Sequence, residues 1–196
     1  YTTALEMAGK INLYNEARKD IDKQMTEQAE DLVRHLPDLE QRRAIVVYNK
    51  EWHKGVIGIV ASRLTEQYYR PAVVLTESEG VATGSARSVS GFDVYKAVAD
   101  CSDLLENFGG HTYAAGLSLK VENVEAFTER FEAYVEKHIL DEQTQASLDI
   151  DAVLDFKDIN FGFYKQLRRF SPFGPDNAKP LFCTKHVYDY GTSKVV

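Results

Sequence analysis

The sequence predicts an α/β domain with a mixed β-sheet flanked by helices, preceded by a long connector helix and followed by a partial β-rich segment. Helical periodicity of apolar residues runs through the first 36 residues. Strand-like and helix-like segments then alternate to about residue 140, which indicates an α/β arrangement. Turn-forming residues and short apolar segments follow. We therefore expect three parts, residues 1–41, 42–140 and 141–196.

In the first part, apolar residues such as Leu13, Ile21 and Val33 recur at steps of three and four positions. This spacing places them on one face of a helix over residues 3–36. The helix is expected to end before Pro37, because the residue before a proline disfavours the helical conformation. A helix of this length is unusual inside a compact domain, so we expect it to connect two domains.

In the second part, strands alternate with helices. The expected strands are 44–48, 71–76, 81–87 and 117–121, and the expected helices are 56–69, 92–108 and 124–140. The turn Glu77–Gly80 favours a hairpin between the second and third strands. A glycine-rich stretch, 109–116, separates the helix at 92–108 from the strand at 117–121.

The third part opens with a polar linker, 141–147. Leu148–Phe156 alternates apolar and acidic residues like a solvated strand, 161–170 favours a short helix, and Leu181–Tyr190 favours another strand. The segment 171–180 is rich in turn-forming residues. We expect these elements to begin a β-rich module that the chain does not finish.

Composition excludes several protein classes. Hydrophobic content of 44% and charged content of 27% are ordinary for a globular domain. No apolar run reaches the roughly 20 residues of a membrane helix, and no signal-peptide pattern opens the chain, so we expect a cytoplasmic protein without membrane contact. Cys101 and Cys183 have no neighbouring thiol, which excludes a zinc knuckle. The net charge of −7 argues against an extensive nucleic-acid-binding surface but permits a local groove lined by a few cations.

The stretch Gly109–Gly116 is the most informative segment, because three glycines and three small residues surround His111. Glycine contributes no buried side chain and loses backbone entropy on folding, so the stretch is poorly suited to a core. Consecutive backbone amides form a concavity that binds anions. We therefore predict a phosphate site at Gly109, Gly110 and His111, with Tyr113 available to stack on a base.

A second segment, Glu51–Gly58, lies between a strand and a helix, where α/β folds place their ligand-binding loops. The helix N-terminus carries a partial positive charge, to which Lys54 adds a full charge beside His53. In this interpretation Trp52 is a second candidate for stacking on a base. In the structural alternative, Trp52 covers the core and Lys54 is solvated.

A third segment ends the strand at 81–87. Arg87 offers a planar fork suited to bidentate phosphate recognition, and Ser85 and Ser88 offer hydroxyl donors to the same anion. The structural alternative is an ordinary strand end with a surface arginine. The sequence contains no cluster of aspartate and histidine of the kind that nucleases use to bind divalent metals, so we predict no metal ligand in this chain.

At these residues the sequence resembles the RecJ family of bacterial exonucleases, within the DHH phosphoesterase superfamily. The resemblance is carried by Trp52–Leu64, by Gly84–Ser88 with the following Phe92-Asp93, and by Phe108–Gly116. These segments are similar to the DHH-associated domain, and the leading helix is similar to the connector that precedes it. Phe173–Phe182 resembles the start of the family's OB-fold, although Ala178-Lys179 stands where the family usually has a proline-rich segment.

The resemblance implies a 5′-to-3′ exonuclease that degrades single-stranded DNA in recombination and repair and depends on Mn²⁺ or Mg²⁺. The family binds these metals in its DHH domain, so the fragment alone is expected to be inactive. Arg87 and Ser85 would bind a backbone phosphate, and His111 with Gly109-Gly110 would close the cleft opposite the metals. His53 and Lys54 would line the channel. Single-stranded-DNA-binding protein and a helicase are the implied partners.

Two alternatives stay open. One is an enzyme of the same superfamily that acts on short oligonucleotides or cyclic dinucleotides, for which the segment after residue 147 has little use. The other is a non-catalytic nucleic-acid-binding module.

Overall fold

The computed structural model describes residues 2–188 and residue 191. The chain divides into two compact units, residues 1–146 and residues 147–196. Within the described residues, no helix combines the length and the apolar composition needed to cross a membrane.

The first unit opens with helix α1, Thr2–Arg34, as the apolar spacing predicts. The helix ends shortly before Pro37. In its C-terminal half, Ala29 and Val33 are fully buried and contribute to a core. In its N-terminal half the large apolar side chains, such as Ile11, are exposed. Only the second half of α1 is therefore packed within this unit.

A five-stranded sheet forms the centre of the first unit. Its strands are β1, Ile45–Tyr48; β2, Ala72–Ser78; β3, Val81–Arg87; β4, Leu105–His111; and β5, Ala114–Lys120. They lie in the order β1-β2-β3-β5-β4. Strands β1 and β2 are parallel and are connected by helix α2, Ile57–Tyr68, whereas the other pairs are antiparallel. This mixed sheet confirms the predicted fold class.

Helices cover the two faces of the sheet unequally. On one face, helices α3, Val94–Asp100, and α4, Val124–His138, pack over a core that includes Phe127 and Phe131 and draws on all five strands. On the other face, α1 and α2 form a second core whose strand residues come from β1 and β2 alone: Ile45, Val47, Ala72 and Val74. Most of the second face over β3, β5 and β4 therefore carries no apolar layer.

The prediction of a helix over 92–108 is wrong, because α3 ends at Asp100 and Leu105–His111 forms β4. Strand β4 joins β5 through a hairpin whose ends, His111 and Ala114, are paired. The predicted anion-binding concavity at Gly109-Gly110 is also wrong. Successive amides of an extended strand point in opposite directions, so these two cannot converge on one anion.

The second unit contains short elements. Helix α5, Phe161–Arg168, agrees with the helix predicted at 161–170. The predicted strands are reduced to β6, Ala152–Val153, and β7, Phe182–Cys183, which pair in parallel. Residues 189 and 190 of the predicted strand 181–190 lie outside the described residues.

Candidate nucleic-acid interface

The strand registers place four of the eight predicted site residues on one face of the sheet: Ser85, Arg87, Gly109 and His111. Ser85 pairs with Val74 and Arg87 pairs with Ala72, and both partners belong to the core beneath α2. Because cross-strand partners project to the same side, Ser85 and Arg87 lie on the face that α2 covers only in part. The alternation continues across the sheet, so this face carries a set of small and polar residues: Thr83, Ser85, Arg87, Asn107, Gly109, His111, Ala114, Gly116 and Ser118.

Two adjacent rows of this face carry the candidate residues. Arg87 pairs with Ala114, which pairs with His111, and Ser85 pairs with Gly116, which pairs with Gly109. Each row spans two strand spacings, about 10 Å between the outer backbones. We call the surface formed by these six residues the open face. Gly109, Gly116 and His111 are exposed there.

Arg87 lies half-buried at the α2 side of the open face. Its Nη1 donates to Ser85 Oγ at 2.7 Å and to the Ala86 carbonyl at 2.8 Å. Among the described residues, no carboxylate forms a salt bridge with Arg87, and Nη2 and Nε have no acceptor. Burial lowers the pKa of the guanidinium from its ordinary value, yet an arginine stays charged at neutral pH. Ser85 accepts from this guanidinium, and its own hydroxyl hydrogen is available to the same anion.

The first turn of α2 packs directly against this pair. A Cβ placed on Gly58 would lie 2.7 Å from Arg87 Nη2 and 3.2 Å from Ser85 Oγ. Val56, at the N-cap, supplies no side-chain acceptor to the first amides of the helix. The partial positive charge of the helix terminus therefore adds to the charge of Arg87. The side chain of Arg87 therefore fills the space that the missing side chain of Gly58 leaves.

The loop before α2 exposes His53 and Lys54. The Gly55 amide donates to His53 Nδ1 at 3.1 Å, so in the neutral ring the proton is on Nε2. Lys54 forms no salt bridge with the described residues. Both side chains therefore lie at the same end of α2 as Gly58 and are free to bind an anion.

Trp52 does not stack on a base, and this prediction is wrong. Its side chain is only 4% exposed, and its Nε1 donates to Gln28 Oε1 of α1 at 2.8 Å. The Thr76 hydroxyl of β2 donates to the Trp52 carbonyl at 2.6 Å. Trp52 thus fixes the loop to α1 and β2, as the structural alternative stated.

The β4–β5 hairpin forms the opposite border of the open face. His111 is exposed, and its Nδ1 accepts from the Tyr113 amide at 3.2 Å, which leaves the proton of the neutral ring on Nε2. Tyr113 is 59% exposed, and its ring lies edge-on to the imidazole with centroids 6.3 Å apart. A donor and an exposed aromatic ring therefore lie together at this border.

Like His53 and Lys54, the predicted site residues Ser88 and Gly110 are not part of the open face. The Ser88 hydroxyl donates to the Phe92 carbonyl at 2.7 Å, so its hydrogen stabilises the turn before α3. Gly110 belongs to the opposite face of β4, and a Cβ on it would lie 2.2 Å from the Ala114 carbonyl oxygen. The hairpin itself therefore requires glycine at position 110.

Asn107 and Ser118 share the open side of the sheet but were not predicted. A two-residue alternation counted back from His111 reaches Asn107, but the register shifts between Leu105 and Asn107, and no local sequence pattern shows that shift. Among the described residues there is no group of three or more His, Cys, Asp or Glu side chains arranged to hold a metal ion. The described residues therefore do not fit a divalent metal ion.

Comparisons with known proteins match both units. Residues 41–137 match the DHHA1 domain family, and residues 150–195 match the RecJ OB domain family. The single-stranded-DNA-specific exonuclease RecJ of Bacillus subtilis is 38% identical over 90% of this chain and 22% of its own length. The RecJ proteins of Haemophilus influenzae and Escherichia coli are 32% and 31% identical, over 91% and 90% of this chain and 32% of each relative. The chain thus spans a third or less of these relatives.

Solved structures agree with this match. The crystal structure of RecJ from Thermus thermophilus in complex with Mn²⁺ superimposes with a TM-score of 0.78 at 28% identity, over 90% of this chain and 25% of that one. The complex of the same protein with Mg²⁺ gives a TM-score of 0.77 at 28% identity, over 89% of this chain and 26% of that one.

Proposed function

This chain belongs to the RecJ family through its DHHA1 and OB domains, and from that premise we propose that it is the substrate-binding part of a 5′-to-3′ exonuclease specific for single-stranded DNA. The proposal places the enzyme in DNA recombination and repair. The observation that carries it is the half-buried guanidinium of Arg87. Its Nη2 and Nε atoms have no acceptor, and it has no carboxylate partner among the described residues.

A phosphodiester fits the donors that converge near Arg87. The Nη2 and Nε atoms of the guanidinium suit two oxygens of one phosphate, because the planar fork matches its geometry. Ser85 adds a hydroxyl donor, and the first turn of α2 adds partial positive charge. The chain's own contribution is therefore to bind the strand and to orient the phosphate.

The rest of the open face suits the neighbouring part of a strand. Gly116 and Gly109 present backbone without side chains beside Ser85. At the far border, His111 Nε2–H is a further donor, and the exposed ring of Tyr113 offers a surface on which a base stacks. His53 and Lys54 extend the positive surface at the N-terminal end of α2.

The metal belongs to a different part of the proposed enzyme. Mn²⁺ or Mg²⁺ bound in a DHH domain would supply the chemistry that activates water for hydrolysis. In this proposal Arg87 and Ser85 would hold the phosphodiester, and His111 would close the cleft.

The segment after residue 147 favours an enzyme for long strands over an enzyme for short substrates. An enzyme for cyclic dinucleotides or short oligonucleotides has little use for the segment after residue 147, and this segment matches the RecJ OB domain family. We place the activity in the cytoplasm, where bacterial DNA is accessible. Single-stranded-DNA-binding protein and a helicase are the partners proposed on the family resemblance.

The proposal is tested by Arg87→Ala. Because a charge-assisted contact is lost, we expect the Kd for an oligo-dT strand to rise roughly tenfold or more. The slope of log affinity against log salt, which is negative, should also become less negative by about 0.7, the value for one phosphate of a single strand. Fluorescence anisotropy at several salt concentrations measures both quantities.

Lys137→Ala is the matched control, since it removes one positive charge from the exposed surface of α4. It should leave both the Kd and the slope nearly unchanged. Failure of the wild-type chain to bind the strand, or equal binding by Arg87→Ala, would contradict the proposal.

A further inference from the structure

Gly58 occupies a position where a helix disfavours glycine. It lies in the first turn of α2, and its backbone is not among those with positive φ. Glycine is the least favourable residue in a helix after proline, and alanine is the most favourable. The conformation of the backbone therefore gives no reason for glycine at this position.

The reason lies in the side chains that face it. The three atoms nearest to a Cβ built on Gly58 are Arg87 Nη2 at 2.7 Å, Ser85 Oγ at 3.2 Å and Arg87 Cζ at 3.6 Å. Real Cβ atoms do not approach other atoms to 2.7 Å, so any other residue here would displace the guanidinium. The atoms displaced belong to the end of a flexible side chain, so the backbone need not move.

The displacement would disturb a defined arrangement. Arg87 is held by two bonds from Nη1, to Ser85 Oγ at 2.7 Å and to the Ala86 carbonyl at 2.8 Å. These bonds orient Nη2 along the surface of α2. A methyl group at position 58 would push Nη2 away and strain both bonds, while the fold of α2 and β3 stays intact.

We infer that Gly58 is a positioning residue, which leaves the space that holds the Arg87 guanidinium in its phosphate-binding orientation. The inference rests on the proposed role of Arg87. It separates two effects that usually coincide, because Gly58→Ala should impair binding without impairing folding.

A double-mutant cycle tests this inference by oligo-dT binding. Gly58→Ala should weaken binding roughly fivefold or more. It should also make the slope of log affinity against log salt less negative, as Arg87→Ala does. Combined with Arg87→Ala, it should add nothing, since the group through which it acts is gone. Its melting temperature should equal or exceed that of the wild type.

Two further variants keep the test decisive. Gly9→Ala adds a methyl group to a helical glycine of α1 with nothing within 4 Å, and binding should not change. In an Arg87→Lys background the narrower ammonium has room beside a methyl group, so Gly58→Ala should have little further effect.

The outcomes distinguish the inference from the proposed function. If Arg87→Ala binds normally, the role of Arg87 itself is wrong. If Arg87→Ala is impaired but Gly58→Ala binds like the wild type, the positioning role is wrong and the proposed function stands. A Gly58→Ala effect that persists in full on Arg87→Ala, or unfolding by Gly58→Ala in the Arg87→Lys background, also overturns the positioning role.

Discussion

Arg87 contrasts with most other arginines of the first unit in what it contacts. Five arginines each form a salt bridge with a carboxylate: Arg34, Arg42, Arg43, Arg63 and Arg130. Among the described residues, Arg87 forms hydrogen bonds only with a hydroxyl and a carbonyl, although burial already lowers the pKa of its guanidinium. A phosphate would supply the missing counter-charge, which is why the candidate site is centred on this residue.

The glycines of β4 give a second prediction at the residue scale. Gly110→Ala should destabilise the fold by about 2 kcal/mol or more, because its Cβ would overlap the Ala114 carbonyl and its φ of +155° is rare for other residues. Gly109→Ala should not destabilise, since a Cβ there meets nothing within 4 Å. Urea unfolding followed by the fluorescence of Trp52, the single tryptophan, measures both variants. Equal losses in the two variants would contradict this account of the hairpin.

Only part of this residue-level picture could be predicted from the sequence. Residue types identified Ser85, Arg87 and His111 as candidates, because a hydroxyl, a guanidinium and an imidazole can each donate a hydrogen bond to a phosphate. The contact between Gly58 and Arg87 joins positions that are distant in sequence, and no local pattern encodes it. Trp52 was ambiguous for the same reason, since its partner Gln28 lies on another helix.

At the scale of elements, local periodicity predicted α1, α2 and most strands correctly. It failed at 92–108, where Val94, Val98, Cys101 and Leu105 recur at helical spacing. The structure ends the helix at Asp100 and pairs the following residues with β5. Pairing with β5 outweighed the local helical pattern. Because these residues were predicted as a helix, the strand alternation that places His111 on the open face could not be recognised.

Helix α1 is joined to α2 by a polar contact that can be tested. Asp22 is nearly buried; its Oδ2 accepts from Arg63 Nη2 at 2.6 Å and its Oδ1 accepts from the Thr26 hydroxyl at 3.3 Å. Asp22→Asn keeps the shape but loses the charge, so we expect a loss of about 1–2 kcal/mol in the free energy of unfolding.

The exposed pair Glu16–Lys19 of the same helix supplies the control, since both side chains are solvated. Glu16→Gln should cost less than about 0.5 kcal/mol, the range for surface salt bridges. Urea unfolding compares the two variants. Equal losses in the free energy of unfolding would show that the Asp22–Arg63 contact stabilises the fold no more than an exposed salt bridge does.

At the scale of the whole molecule, the two compact units match two domain families, the DHHA1 domain and the RecJ OB domain. In the first unit, α3 and α4 cover a core that draws on all five strands, whereas α1 and α2 cover only β1 and β2 on the other face. A bare sheet face of small and polar residues is a surface that a ligand can approach closely. The alternation of strands and helices predicted the fold class, but which face stays open depends on how α1 and α2 pack.

The most direct test of the central claim is the NMR amide spectrum of the 22.2 kDa chain titrated with an oligo-dT strand. We predict chemical-shift changes at Ser85, Gly109 and Gly116 and their neighbours, with little change in α3 and α4, and the loss of these changes in Arg87→Ala. An open face whose amides do not respond, or whose response is the same in Arg87→Ala, would contradict the claim that this face binds single-stranded DNA through Arg87.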